Sequence, residues 1–203
     1  MAKPKLLLHI CCGPCVSGVL EELARDWEVV PYFYNPNIWP EREYQKRLEA
    51  AKKAIGSIRA NTSLGVAKKL IVGDYDAGNW EKVVKDLEGE PEGGKRCEAC
   101  FRMRLEATAK KARELGIKNF ATTLSISPHK NTGLINKVGR GIVKIPCYST
   151  MVSKSKEKEG VATLNFIEKD FSKLYHKSLE ESKKAGLYRQ KYCGCKFSLK
   201  SVN

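Results

Sequence analysis

The chain has 203 residues and carries 37 Lys and Arg against 23 Asp and Glu, a formal net charge of +14. That length suits one domain with a core of its own, and a composition 42% hydrophobic and 30% charged excludes wholesale disorder. No apolar run approaches the ~20 residues that span a bilayer. The short stretch from Leu6 to Ile10 lacks a small-residue cleavage site, so a cytoplasmic protein with no membrane partner is expected.

Leu6–Ile10 reads as a buried parallel strand, followed by the turn Cys11-Cys12-Gly13-Pro14-Cys15. Val16, Val19, Leu20, Leu23 and Ala24 then recur at helical spacing. Glu28–Tyr34 is a second strand, closed by Asn35-Pro36-Asn37. A helix starts near Glu41, with Tyr44, Leu48, Ala51 and Ile55 on one stripe. Leu70–Val72 is a third strand, Trp80–Leu87 a short helix, and residues 89–94 a turn-rich loop. From Cys97, the spacing of Phe101, Leu105, Ala109 and Ala112 predicts a helix stopped by Gly116. Phe120–Leu124 is a fourth strand, followed by a weak helix, with Ile142–Ile145 as a fifth strand. A Lys-rich loop at Thr150–Gly160, a helix over Lys173–Ala185 and a Cys-containing tail complete the chain. The strand–helix alternation predicts a three-layer α/β fold with a mainly parallel sheet. The expected organisation is an α/β part at 1–149 and, at 150–203, a loop, helix and tail packing on the same active site.

A charge of +14 predicts attraction to polyanions, nucleic acid ahead of acidic lipid. The plainer alternative is a Lys-rich surface that serves solubility or thermal stability. Eight Cys in a reducing compartment point to metal or redox chemistry, because structural disulfides do not persist there. Seven of them form three groups: Cys11, Cys12 and Cys15 after strand one, Cys97 and Cys100 opening a helix, and Cys193 and Cys195 in the tail. Cys147 stands alone and reads as an incidental thiol.

Ligands of parallel α/β sheets bind beyond the carboxyl ends of the strands, where the first group sits. Cys97 and Cys100 share one helix face, and the helix N-terminus is expected to favour their thiolates. Four thiolates suit zinc or an iron–sulfur cluster. The surplus of donors and the adjacent pair Cys11-Cys12 lean toward iron–sulfur, with zinc and unmetallated thiols left open. Cys193-Gly194-Cys195 can act as a two-electron dithiol or as a pair of metal ligands.

Among polar residues, Asp74 and Asp76 follow the third strand and can serve a metal, a substrate diol or a proton, or simply a turn. His129 with Lys130 can meet phosphate or donate a proton. Asn35 and Asn37 can read hydroxyls or shape the turn around Pro36, and His9 reads as a satisfied core residue. Tyr188, Arg189, Gln190 and Tyr192 combine stacking surface with phosphate-binding charge.

Seven stretches carry a family resemblance: Leu6–Cys15 (LLLHICCGPC), Phe33–Ile38 (FYNPNI), Gly73–Asp76 (GDYD), Glu88–Cys100 (EGEPEGGKRCEAC), Phe101–Ala107 (FRMRLEA), Thr122–Asn131 (TTLSISPHKN) and Tyr188–Cys195 (YRQKYCGC). Together, over nearly the whole chain, they resemble the cobalamin-independent epoxyqueuosine reductases of the QueH type. The resemblance implies a fold like the adenine-nucleotide α-hydrolase (HUP-like) superfamily. It also implies reduction of epoxyqueuosine to queuosine at the wobble position of tRNA, the last step of queuosine synthesis. The implied cofactors are a [4Fe–4S] cluster on Cys11, Cys12, Cys97 and Cys100 and a second iron beside it, with a redox role for Cys193 and Cys195. The partners are the tRNA anticodon loop and an external electron donor.

Removing the epoxide oxygen takes two electrons and two protons, and the oxygen needs charge stabilisation as it leaves. An iron held by some of Cys15, Cys193 and Cys195 is expected to bind it, with Asp74 as a further catalytic group. Asn35, Asn37, His129, Lys130, Tyr188 and Arg189 are the expected substrate contacts. Cys11–Cys15 stand where ATP pyrophosphatases of the superfamily carry a Ser-Gly-Gly-x-Asp loop, so nucleotide hydrolysis is not expected. Where the family carries an Asp-Phe-Lys-Lys-like stretch, this chain has Asp170-Phe171-Ser172-Lys173. Two other readings are an iron–sulfur tRNA sulfur transferase and a zinc-stabilised RNA-binding module.

Overall fold

The fold is assembled on β1 (Lys5–Ile10), whose Leu6, Leu7, Leu8 and Ile10 are fully buried. A strand buried on both faces needs apolar residues at nearly every position, which is why it reads as a continuous run. A computed structural model describes residues 2–61, 65–67, 69–144 and 163–199. Within them, β1 pairs in parallel with β2 (Glu28–Phe33) on one side and β4 (Asn119–Thr122) on the other. Beyond these lie β3 (Ile71–Val72) and β5 (Asn165–Phe166), giving an all-parallel sheet in the order β3-β2-β1-β4-β5.

Alternation along β1 sends Leu6, Leu8 and Ile10 to one face and Leu7 to the other. The first face is covered by α1 (Ser17–Leu23), through Val19, Leu20 and Leu23, and by α2 (Glu41–Asn61), through Tyr44, Leu48, Ala51 and Ile55. The second is covered by α4 (Lys95–Glu114), through Phe101, Leu105, Ala109 and Ala112, and by α5 (Thr132–Lys144). The three-layer parallel architecture expected from the sequence is therefore present. The short α3 (Ala77–Val83) follows β3, α6 (Tyr175–Lys184) packs on α1, and α7 (Lys196–Leu199) follows the Cys tail.

One predicted strand is corrected. Ile142 lies in α5 rather than in a strand, and Ile145 lies outside the described residues. Ile135, Val138 and Ile142 are spaced for a helix face, and all three are buried. Gly139 obscured that signal, yet its missing side chain is required: an added Cβ would sit 2.3 Å from the Phe166 ring of β5. The fifth strand is therefore the two-residue segment that this glycine admits. The fourth strand is also shorter than predicted, because Thr123–Ile126 turns into a 3-10 helix capped by the Thr122 hydroxyl. The Thr150–Gly160 loop and Cys147 lie outside the described residues.

His9 is a satisfied core residue, as expected: Nδ1 lies 2.8 Å from Thr122 Oγ1 and Nε2 3.1 Å from the Tyr34 carbonyl. Burial, reinforced by the Arg104 charge, holds its pKa well below the ordinary 6.5. Folded His9 thus stays neutral while the unfolded chain takes up a proton below about pH 6.5, so its contribution is intact above that pH and is lost as pH falls. Urea unfolding near pH 7.5, 6.5 and 5.5 should show this loss, reduced in His9→Gln. An equal pH slope in both proteins would contradict it.

Candidate active site

The strand order reverses at β1, so the crevice beyond the carboxyl ends of β1 and β4 is the topological switch point of the sheet. The turn after β1 brings Cys11, Cys12 and Cys15 there, with all three sulfurs within 4.8 Å of one another. Thr123, at the end of β4, anchors the first of them. Its hydroxyl accepts from the Cys11 backbone N–H at 3.1 Å and donates to Cys11 Sγ at 3.2 Å. Cys11 Sγ lies 3.8 Å from Cys12 Sγ. Cys12 and Cys15 are joined as a disulfide, with Cα atoms 5.5 Å apart, a pairing the sequence reading did not assign. A metal held by both would require them reduced to thiolates. The other described cysteines, Cys11, Cys97, Cys100, Cys193 and Cys195, are free.

Cys97 and Cys100 open α4, where Arg96 ties the helix start to the preceding loop through the carbonyls of Leu87, Glu88 and Glu90. The Gly93 N–H donates to Cys97 Sγ at 3.2 Å. The expectation that the helix N-terminus favours thiolate is corrected for the protein without metal. Burial pushes the Cys97 thiol up, and outweighs the downward pull of the Gly93 N–H and of Arg96. Burial likewise raises Cys100 to about 11 against the pull of Arg104. Cys100 packs with Trp80, Val84, Met103 and Cys195 in a small buried cluster.

Arg104 occupies the same face of α4 one and two turns after Cys100 and Cys97, and is 3% exposed. Its Nη2 donates to Asn35 Oδ1, while Asn35 Nδ2 donates to the Ile10 carbonyl at 2.9 Å. This chain of contacts links the helix carrying Cys97 and Cys100 to the strand end carrying Cys11 and Cys12. The tail is fastened from α2: Arg47, 2% exposed, donates to the carbonyls of Cys193 at 2.9 Å and Tyr192 at 3.1 Å. One small cavity is lined by Cys11, Cys12, Cys193, Asn35, Asn37, Arg47, Arg104, Lys130 and Gln190, among others. Cys193 thus shares a cavity with Cys11 and Cys12 of the first group.

Several expected residues take other places. Both polar ends of Asn35 are committed to the Arg104–Ile10 link, so it positions the crevice. Asn37 is 2% exposed, and its Oδ1 is buried without a partner among the described residues. Lys130 lines the cavity, whereas His129 is exposed beside it. Asp74 is exposed beyond β3 and does not line this cavity; burial raises the phenols of Tyr32, Tyr34 and Tyr44, and the Asp74 charge adds to the rise. Asp76 caps α3, its carboxylate accepting from the Asn79 N–H at 2.9 Å. Tyr188 donates to Glu43 Oε2 at 2.6 Å, and burial, helped by this hydrogen bond, holds its phenol up to about 12. Arg189 is exposed at a second hollow lined by Pro14, Cys15, Tyr175 and Gln190.

Sequence reasoning missed Arg104, Arg47, Glu43 and Trp80. The signal for Arg104 was its i+4 and i+7 spacing from Cys100 and Cys97. For Arg47 it was a cation falling on the apolar stripe of α2.

The residues present fit a soft, sulfur-bound cationic or cluster group. Cys11, Cys12 and Cys15 could hold a metal, and Cys11 and Cys12 line one cavity with Cys193, whereas Cys97, Cys100 and Cys195 neither join that group nor line that cavity. Two buried guanidinium groups face the same cavity, a charge that suits an anionic thiolate assembly. The buried donor Arg104 Nε lacks an acceptor among the described residues.

Fold and crevice together define a class: an α/β protein whose switch-point site is built from cysteine rather than from a phosphate loop. A family model described as "Epoxyqueuosine reductase QueH" matches residues 6–201. Relatives of that name include proteins of Streptococcus pyogenes serotype M1, 38% identical over 98% of this chain and 71% of the relative, and of Thermotoga maritima, 38% identical over 96% and 90%. A third, from Helicobacter pylori, is 35% identical over 96% of this chain and 49% of its own length. The chain belongs to the epoxyqueuosine reductase QueH family and is an oxidoreductase. No helix among the described residues is long and apolar enough to cross a membrane.

A thiol held up to about 11 is about 99.9% protonated at pH 8. In the metal-free protein, iodoacetamide labelling of Cys100 should therefore rise about tenfold per pH unit from pH 8 upward. Peptide mass spectrometry reads this, and a plateau below about pH 9.5 would contradict it.

Proposed function

We propose that this chain reduces epoxyqueuosine to queuosine in the anticodon loop of tRNA, the last step of queuosine synthesis. The observation that carries the reading is the convergence of Cys11, Cys12 and Cys193 on one buried cavity in a chain of this family. Turning the epoxide into an alkene consumes two electrons and two protons and releases the oxygen as water, so the site needs reducing equivalents from an external donor. Cys11, Cys12, Cys97 and Cys100 would hold a [4Fe–4S] cluster, and some of Cys15, Cys193 and Cys195 a second iron. When bound, these groups supply single electrons and Lewis acidity.

The remaining work falls to protein side chains. Asn37 Oδ1, buried and unpartnered, offers an acceptor to a substrate hydroxyl, and Gln190 Oε1 offers a second on the same cavity. Lys130 on the cavity wall can hold a proton for the departing oxygen. Arg104 and Arg47 keep positive charge beside the sulfurs that line the cavity. Exposed Arg189 and His129, with Tyr188 beneath the Lys46 ammonium of α2, supply a basic and aromatic rim for a single-stranded loop.

The test is anaerobic reconstitution with iron and sulfide, then incubation with epoxyqueuosine-containing tRNA and nucleoside analysis. The wild-type chain should form queuosine over multiple turnovers. Cys193→Ser should keep the brown colour without turnover, and Cys97→Ser should lose the colour. Asn37→Ala should lower kcat/KM by about 10- to 100-fold with the colour intact. Full multiple turnover by Cys193→Ser would remove the tail from the reaction, and no queuosine from the wild-type chain would overturn the reading.

A further inference from the structure

Arg47 lies on α2, far in sequence from every cysteine, and is almost completely buried. Its Nε donates to Glu43 Oε1 at 2.8 Å. An ion pair four residues apart on one helix does not require burial, and burying it is costly unless the remaining donors find partners. Here they do: Nη1 and Nη2 take the carbonyls of Cys193 and Tyr192, and the guanidinium lies 5.0 Å from the centre of the Tyr192 ring. The other Glu43 oxygen accepts from Tyr188, so the same pair grips the tail again four residues earlier. The segment just before α2 adds two contacts. The Trp39 N–H donates to the Gly194 carbonyl at 2.8 Å, and the Tyr192 hydroxyl donates to the Trp39 carbonyl. Gly194 sits at φ +131, and a Cβ added there would lie 2.9 Å from Arg47 Nη1, so the tail closes on the guanidinium with no room for a side chain.

We propose that Arg47 is a positioning residue. By binding two successive carbonyls it fixes the Tyr192–Gly194 backbone, and so fixes the direction in which Cys193 enters the cavity shared with Cys11 and Cys12. Its fork geometry is essential, because an ammonium cannot hold two carbonyls and a carboxylate in one plane. This rests on the reading that Cys193 takes part in the reduction, and the experiment separates the two claims.

The experiment uses the full chain with reduced thiols, and compares iodoacetamide labelling of Cys193 with that of Cys97 in the same molecules. The variants are Arg47→Lys, Arg47→Ala and Gly194→Ala, the last approaching the contact from the tail side. Tyr188→Phe, which leaves the ion pair in place, covers the case in which Arg47→Ala fails to fold. Expected is a rise of about tenfold in Cys193 labelling for Arg47→Lys and Gly194→Ala, and a smaller rise for Tyr188→Phe, with Cys97 unchanged. Free guanidinium should restore protection to Arg47→Ala. In reconstituted enzyme, kcat should fall in Arg47→Lys while KM holds. Unchanged Cys193 labelling in Arg47→Lys and Gly194→Ala would overturn the proposal, as would Cys97 labelling rising in step. If Cys193 labelling rises while kcat stays at the wild-type value, the positioning role stands and the participation of Cys193 in the reduction falls.

Discussion

Arg104 to Asn35 to the Ile10 carbonyl is the contact chain on which the site depends. The cysteines come from three segments that the chain does not otherwise bring together: the end of β1, the start of α4 and the tail. Packing of α4 on the sheet sets its distance from β1, but apolar contacts do not fix rotation to the accuracy that a shared sulfur site needs. A buried guanidinium with a directed acceptor does. Arg47 does for the tail what Arg104 does for α4: the two buried cations line one cavity with Cys11, Cys12 and Cys193 and tie the tail and α4 to it. The same cations offset the cost of gathering thiolates out of water.

This arrangement explains how a three-layer parallel α/β fold hosts reductive chemistry. The strand order and the crevice are those of a doubly wound sheet, and function resides in what the loops place there. The turn after β1 presents sulfurs, and the end of β4 supplies Thr123 to hold the first of them. Asn37 Oδ1 and Gln190 Oε1 give the cavity acceptors that have no partner among the described residues, and Lys130 adds a cation to its wall.

Most of the architecture was legible because the buried strands and amphipathic helices carry strong periodic signals, as in Leu6–Ile10 and in Phe101, Leu105, Ala109 and Ala112. The fifth strand was not legible. Two residues carry no period, and the glycine that admits them weakened the helix pattern of α5. The cysteine groups stood out by composition and spacing alone. Arg104 and Arg47 did not, because a cation on an apolar helix stripe reads as an interruption until its distant partners are known. Asp74, expected as a catalytic group from its position past a strand end, follows the edge strand β3 and does not line the cavity shared by Cys11, Cys12 and Cys193. The thiolate expectation for Cys97 and Cys100 weighed the helix N-terminus, a local feature, and lacked the burial that tertiary packing imposes.

The central claim is that sulfurs from separate segments serve one shared inorganic centre. Iron and acid-labile sulfide counted after anaerobic reconstitution of Cys11→Ser, Cys97→Ser and Cys147→Ser test it most directly. Loss of the whole cluster in each of the first two, with wild-type content in the third, is the predicted result. Retention of wild-type iron and sulfide by either Cys11→Ser or Cys97→Ser, or zinc without labile sulfide in the wild-type chain, would contradict it.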